Sequence, residues 1–416
     1  MPTDDELRRS IERLRERIQA SEAITGGDRE ALMRFSRELK FRRSTYSPSR
    51  HVKLLQHCVL LAGDSRKYDP GDLPEPSLSD ALEDSEAAKD IVRWIHRHYP
   101  NEETNRDYRV ALRMFGEHAT DGEGKPPSID QISASTPRNY DPQPDPARML
   151  WWGEHIQPML ANARSSRDKA AIAVAWDLGA RPGEFKDLTL GDVTDSSHGM
   201  RLTVDGKTGR RSPLIIPSIP YLNRWLADHP ARGSPDAPLW SKLATPERPS
   251  DQMLLKMIRR PARRAGITHT NVDYRRMRKS SASYLASQNV NQPHLEDHKG
   301  WKRGSEIAAR YVAVFGEAND REIARAHGKD VTASEPEPIG PVTCPRCDRD
   351  TPREREACIW CSQILDAKAA ETVRAQDDEL RQSIASESGE RAEALADLGA
   401  VLDEHPVLRD MVDEDD

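Results

Sequence analysis

"LGARPGEFKDL", residues 178–188, places an arginine where a helix has to break. Gly179 suits the end of the helix before it, and Pro182 suits the first position of the helix after it. Arg181 is therefore held extended by the proline that follows. A cation at a helix N-terminus is opposed by the helix dipole, so the local fold does not ask for one. Two readings stay open. An anion bound there would receive the guanidinium together with free backbone N–H groups. Alternatively, Arg181 is paired with Glu184 or Asp187.

On either side lies the densest core of the chain, from about Pro146 to Gly316. "RDKAAIAVAWDLGA", residues 167–180, reads as a strongly buried helix. "MRLTVDGKTGRRSPLIIP", residues 200–217, alternates into a DG/TG turn and out again, a β-hairpin with Lys207 at its tip. Three helices are expected after it. One carries "DYRRMRKSSASYLA", residues 273–286, with Arg275, Arg276, Arg278 and Lys279 crowded at one end. With Lys256, Arg259, Arg260, Arg263 and Arg264, they face only Asp273 as an interspersed acid, in a chain of net charge −7. A basic cluster on an acidic background reads as a polyanion-binding face, or as a solvated helix face. Arginine in preference to lysine points to phosphate, whose oxygens a guanidinium matches two at a time. Finally, "GWKRGSEIAARYVAVFG", residues 300–316, puts Tyr311 on a helix with Ile307 and Val314 at core spacing.

In this order the signals resemble the tyrosine recombinase, or phage integrase, family. "LGARPGEFKDLTLGDV" is similar to that family's first arginine box, "RRMRKSSASYLAS" to its second, and "GWKRGSEIAARYV" to its terminal box. The resemblance covers about residues 146–320, and the cysteine-bearing C-terminus is suggestive of an archaeal-type branch. It implies a mainly α protein with a small hairpin or sheet, a helical core-binding domain and a mixed α/β catalytic domain. It further implies that Tyr311 attacks a DNA phosphate to give a 3′-phosphotyrosyl link, with Arg181 and Arg278 on the non-bridging oxygens. Lys207 would protonate the leaving 5′-oxygen, and Trp301 would donate through its indole N–H. Neither ATP nor a catalytic metal is implied. Where the family's second box opens with histidine, this chain has Arg275, which clamps phosphate but cannot accept a proton. His294 or His298 is the candidate substitute base.

Four of the five cysteines form two CxxC pairs, Cys344/Cys347 and Cys358/Cys361, ten residues apart. Two such knuckles give four thiolates for one structural Zn²⁺ with no open coordination position. Cys58, in an apolar helix, is expected to be a buried core thiol. The expected organisation is a helical DNA-binding domain over 1–118, a linker over 119–145 and a catalytic domain over 146–330. A zinc ribbon over 340–365 and an acidic helix and tail over 366–416 complete it. The narrow stripe Leu7, Ile11, Leu14, Ile18 of an N-terminal polar helix could pair with another helix, but over about two heptads packing within the chain is expected. No stretch approaches a membrane span, and the N-terminus lacks a signal-peptide core, so a cytoplasmic, nucleoid-associated protein is expected. Its expected partners are double-stranded DNA and copies of itself, as a tetramer on paired sites. The alternative is a DNA-binding protein of the same fold, a regulator or plasmid-maintenance factor that has lost its chemistry.

Overall fold

The computed structural model describes residues 4–65, 67–120, 124–140, 142–206, 209–332 and 337–386, with 397, 398, 400, 401 and 404. The fold is mostly helical with small sheets. Its contacts divide it into two units, Met1–Pro142 and Gln143–Asp416.

The first unit contains α1 (Asp4–Ala20), α2 (Gly26–Phe41), α3 (Pro48–Leu61), α4 (Leu78–Glu83), α5 (Ser85–His98), α6 (Glu102–Ala119) and α7 (Pro127–Asp130). Short polar residues start the helices: the side chains of Thr25, Ser47, Ser77, Asp84 and Asn101 each accept an N–H of the first turn. Ile11, Leu14 and Ile18 of α1 are buried, as their spacing predicts. Cys58 is buried in the core and donates its thiol hydrogen to the Ala111 carbonyl. The stretch expected to be all linker instead contributes Ile129 and Ile132 to this core. Two apolar residues within so many polar ones carry no period, which is why the sequence hid them.

The second unit begins with a wide helical turn at Trp152–Ile156 that runs into α8 (Gln157–Ala161). Then come α9 (Ser166–Leu178), α10 (Pro182–Asp187) and five short strands. α9 is buried from Ala170 to Leu178, as its composition requires, and packs on its neighbours on several sides. The expected hairpin is two ladders in series. β2 (Gly199–Leu202) pairs antiparallel with β1 (Val193–Ser196) and β5 (Leu214–Ile215). β3 (Val204–Gly206) pairs separately with β4 (Gly209–Arg211), in the register Val204↔Arg211 and Gly206↔Gly209. Pro213, just after β4, has no N–H to continue the ladder.

Instead of three helices there follow α11 (Ile219–Asp228), α12 (Asp251–Arg264), α13 (Tyr274–Ser287), α14 (Gln292–Lys299), α15 (Glu306–Val314) and α16 (Gly316–Ala326). α14, at 8 residues, is too short to show a helical period of its own. A minimal hairpin of β6 (Val342–Thr343) and β7 (Asp350–Thr351) and the helix α17 (Ala367–Ser386) follow. Among the described residues no helix is long and apolar enough to cross a membrane.

Candidate active site

Two helices end side by side, each in a left-handed glycine: Gly179 after α9 (φ 56°) and Gly300 after α14 (φ 61°). A helix C-terminus leaves carbonyls without partners and carries the negative end of the helix dipole. Here arginines fill those carbonyls. Gly179 O accepts from Arg278 Nη1 at 2.8 Å. At the end of α14, three successive carbonyls take three different guanidiniums. His298 O accepts from Arg211 Nε at 3.3 Å, Lys299 O from Arg278 Nη2, and Gly300 O from Arg181 Nη2 at 2.9 Å.

Glu184, on the first turn of α10, joins two of the three. Its Oε1 accepts from Arg181 Nη1 at 2.6 Å, and its Oε2 from Arg211 Nη2 at 2.8 Å and from the Arg181 N–H at 2.9 Å. Of the two partners considered for Arg181, Glu184 is the one observed; Asp187 pairs with Arg248 instead, at 3.0 Å. The local fold therefore does ask for a cation at position 181, because a buried carboxylate stands one turn on. That carboxylate is 3% exposed, whereas the Arg181 side chain keeps 24% of its surface open. Burial alone would raise the Glu184 carboxyl, but hydrogen bonds from Arg211 and from the Arg181 backbone and side chain carry it down to about 2. Gly206 on β3 lets the hairpin backbone lie against it, since a Cβ there would overlap Glu184 Oε1.

The cluster remains positively charged. Burial, then the charges of Arg181 and Arg211, bring Arg278 down to about 10. The Arg278 guanidinium carbon lies 5.5 Å from the Trp301 ring centroid, and the Tyr311 ring stacks on Trp301 at 5.4 Å and 20°. Tyr311 is 6% exposed, and burial pushes its phenol up to about 12 against the pull of Arg278 and Arg276. Its hydroxyl makes no hydrogen bond among the described residues. α15 presents Ala308 and Tyr311 to the core, whereas Ile307, expected there, is 47% exposed. The helix is turned so that the aromatic ring takes the inward position. Phe185 of α10 stacks on Trp240 and packs at a tilt against Tyr274 of α13, each at 4.7 Å, so the helix beginning after Arg181 is fixed to the helix bearing Arg278.

The structure therefore gathers Arg181, Arg278, Trp301 and Tyr311. It does not gather the rest of the expected set. Lys207 falls in sequence between β3 and β4 and lies outside the described residues. Arg275 is exposed, with no hydrogen bond or ion pair among the described residues. His298 Nε2 bonds to the Leu214 carbonyl at 2.9 Å, and burial takes its ring down to about 3, a poor proton acceptor. His294 is exposed on α14. Part of the basic cluster is structural: Arg259 bonds to Val272 O and Asn271, and Arg264 to Asn162 O.

Sequence reasoning missed Arg211 and Lys299. A signal existed for the first: Arg211 sits opposite Val204, and directly paired residues share a face of the ladder. Lys299 is fully buried, its Nζ donating to Ser281 Oγ at 2.5 Å. Burial and the charge of Arg278 hold that amine well below its usual range. In the sequence it reads as one more surface cation.

The cysteines form a second centre. All four Sγ atoms lie within 4.8 Å of one another, close enough to hold a metal ion. The Cys344–Cys361 and Cys347–Cys358 sulfur pairs are each 3.6 Å apart. A tetrahedral site with metal–sulfur bonds of about 2.3 Å has edges of about 3.8 Å. The two knuckles are built alike. Asp348 N–H bonds to Cys344 O and Ser362 N–H to Cys358 O, with Asp348 and Ser362 both left-handed. The segment rests on α11 through a 2.6 Å hydrogen bond from Tyr221 to Glu354.

Residues 153–317 match the family model described as the phage integrase family. No curated protein matches the chain. Among solved structures, a lambda integrase (75–356) dimer bound to a COC′ core site is 14% identical, with TM-score 0.48, covering 66% of this chain and 93% of its own. The XerH site-specific recombinase in a post-cleavage complex with a palindromic difH substrate is 15% identical, with TM-score 0.45, covering 80% and 97%. The Tn1549 transposon integrase with transposon right end DNA is 15% identical, with TM-score 0.45, covering 71% and 99%.

Proposed function

We propose that this chain, whose residues 153–317 form a phage integrase family domain, cleaves and rejoins DNA through a covalent link to Tyr311. One observation carries the reading. Tyr311 and Arg278 meet on Trp301, beside Arg181, in a cluster with more positive than negative charge. In the proposed step the Tyr311 hydroxyl first gives its proton to solvent, the phenolate oxygen then bonds to phosphorus, and the bond from phosphorus to the 5′-oxygen breaks. Lys207 gives that oxygen its proton. Arg181 and Arg278 oppose the charge that grows on the non-bridging oxygens, and the Trp301 N–H adds a donor. Because one phosphodiester replaces another, a returning 5′-hydroxyl reverses the step without an outside energy source.

Double-stranded DNA is the proposed partner, with copies of the chain assembling as a tetramer on paired sites inside the cytoplasm. Four thiolates with near-tetrahedral edges suit one Zn²⁺, which would hold residues 340–365 together and take no part in the chemistry. The domains read from the sequence, 1–118, 146–330, 340–365 and 366–416, are proposed as its functional divisions. A second reading has two observations in its favour. Arg275 occupies the histidine position, and no described base reaches the Tyr311 hydroxyl, as in a DNA-binding protein without strand cleavage.

The test uses random-sequence duplexes carrying 5′-bridging phosphorothiolates, whose sulfur leaves without needing a proton and cannot reseal the strand. A covalent protein–DNA adduct from the full chain, absent in Tyr311→Phe, supports the first reading. Binding without any adduct supports the second.

A further inference from the structure

Arg211 lies outside the set that the proposed reaction uses, yet it is tied into the site at two of its three nitrogens. Nη2 holds Glu184 at 2.8 Å and Nε reaches His298 O at 3.3 Å. Nη1 is buried without a hydrogen-bond partner among the described residues, packed against Gly300, where a Cβ would stand 2.7 Å from it. A buried guanidinium nitrogen with no partner is costly, and this one is closed off from any incoming phosphate. The side chain, 12% exposed, is committed to Glu184 and the end of α14 through its other two nitrogens.

Glu184 without Arg211 would be a buried carboxylate shared with nothing but Arg181. Its second oxygen would keep only the Arg181 N–H, and the Arg181 guanidinium would be held by Gly300 O and a carboxylate no longer tied to α14. With Arg211 in place, each oxygen has its own guanidinium, and both guanidiniums are anchored on carbonyls at the end of α14. We infer that Arg211 is a positioning residue: it ties the Glu184 carboxylate to the C-terminal end of α14 and through it fixes the guanidinium of Arg181. The inference rests on the strand-cleavage reading for its effect on rate, but not for its geometry. It also gives the hairpin a second task. Through Arg211, β4 locks the arginine of the first box.

Arg211→Gln, Arg211→Lys, Glu184→Gln and the double variant Arg211→Gln/Glu184→Gln test it in the full chain. With the phosphorothiolate duplexes, Arg211→Gln is expected to lower the rate of adduct formation about tenfold or more, with duplex affinity changed by less than about threefold. Arg211→Lys keeps the charge but not the fork, so it is expected to lose rate as well. The double variant is expected to be no slower than the slower single variant. An equal loss of rate and affinity would make Arg211 a DNA contact and overturn the inference, as would full activity in Arg211→Lys or independent, multiplying effects. If the wild type forms no adduct at all, the proposed function fails, and the melting temperatures decide Arg211 alone. The double variant should then melt no lower than Arg211→Gln, and additive losses would overturn the coupling.

Discussion

Tyr311 has to lose a proton before it can attack, and burial holds its phenol near 12, with only Arg278 and Arg276 pulling the other way. Without a base, the rate should follow the small phenolate fraction, which grows tenfold per pH unit below the pKa. Adduct formation by the wild type is therefore expected to climb steadily between about pH 6 and 9, without a plateau. Arg275→His would add a group that accepts a proton once above about pH 6.5, so the same profile should level off there and lie higher at neutral pH. A wild-type plateau near pH 6.5 would mean that a histidine already serves, contrary to the placement of His298. Arg181→Ala should lose both adduct and some affinity, because it removes charge that the bound phosphate also feels. Glu184 titrates in the opposite sense. Its folded pKa, about 2, lies below the ordinary glutamate value of about 4.3, so its stabilisation is complete above the latter and lost as pH falls towards the former. Melting temperatures followed down to pH 2 should decline less steeply in Glu184→Gln across that window; an unchanged slope would mean the carboxylate is not held as described.

Two helix C-termini make the site, and that explains what the sequence disclosed and what it withheld. The break at Gly179, the arginine at 181, the hairpin, the basic helix and the tyrosine are all side-chain or turn signals, and each was legible. Backbone carbonyls leave no mark in a sequence, so nothing announced that residues 298, 299 and 300 would receive three arginines in succession. Ile307 misled because period alone cannot tell which of two apolar stripes turns inward. Lys299 misled because a lysine is almost never fully buried. Gly300 is where this element-level account is most exposed to test. Alanine there would need a left-handed backbone, costing about 1 kcal/mol, and its Cβ would push on the Arg211 guanidinium 2.7–2.9 Å away. Gly300→Ala should lower the melting temperature and slow adduct formation even though residue 300 contributes no side chain. An active, equally stable variant would show that the carbonyl array is not needed.

Across the whole molecule, charge is segregated rather than balanced. The chain has net charge −7, yet arginines collect around one site and along α12 and α13. Duplex affinity should fall steeply between low and physiological salt as phosphate contacts release counterions. A flat response would leave the arginines outside the site as a solvated face. The cysteine segment belongs to a different layer of the design, resting on α11 through Tyr221. Cys344→Ser or a strong chelator should loosen residues 340–365 to proteolysis and weaken DNA binding or assembly. A chain ending near residue 330 should still form the adduct, and its failure to do so would give the ribbon a part in the chemistry. The catalytic roles given to Arg181, Arg278 and Trp301 hold only if Tyr311 is the residue that joins protein to DNA. The most direct measurement is to isolate the adduct from the phosphorothiolate duplexes, digest both polymers, and locate the linked residue by mass spectrometry. The predicted result is a nucleotide held through its 3′-phosphate on the peptide containing Tyr311; a nucleotide on any other residue, or held through its 5′-phosphate, would contradict it.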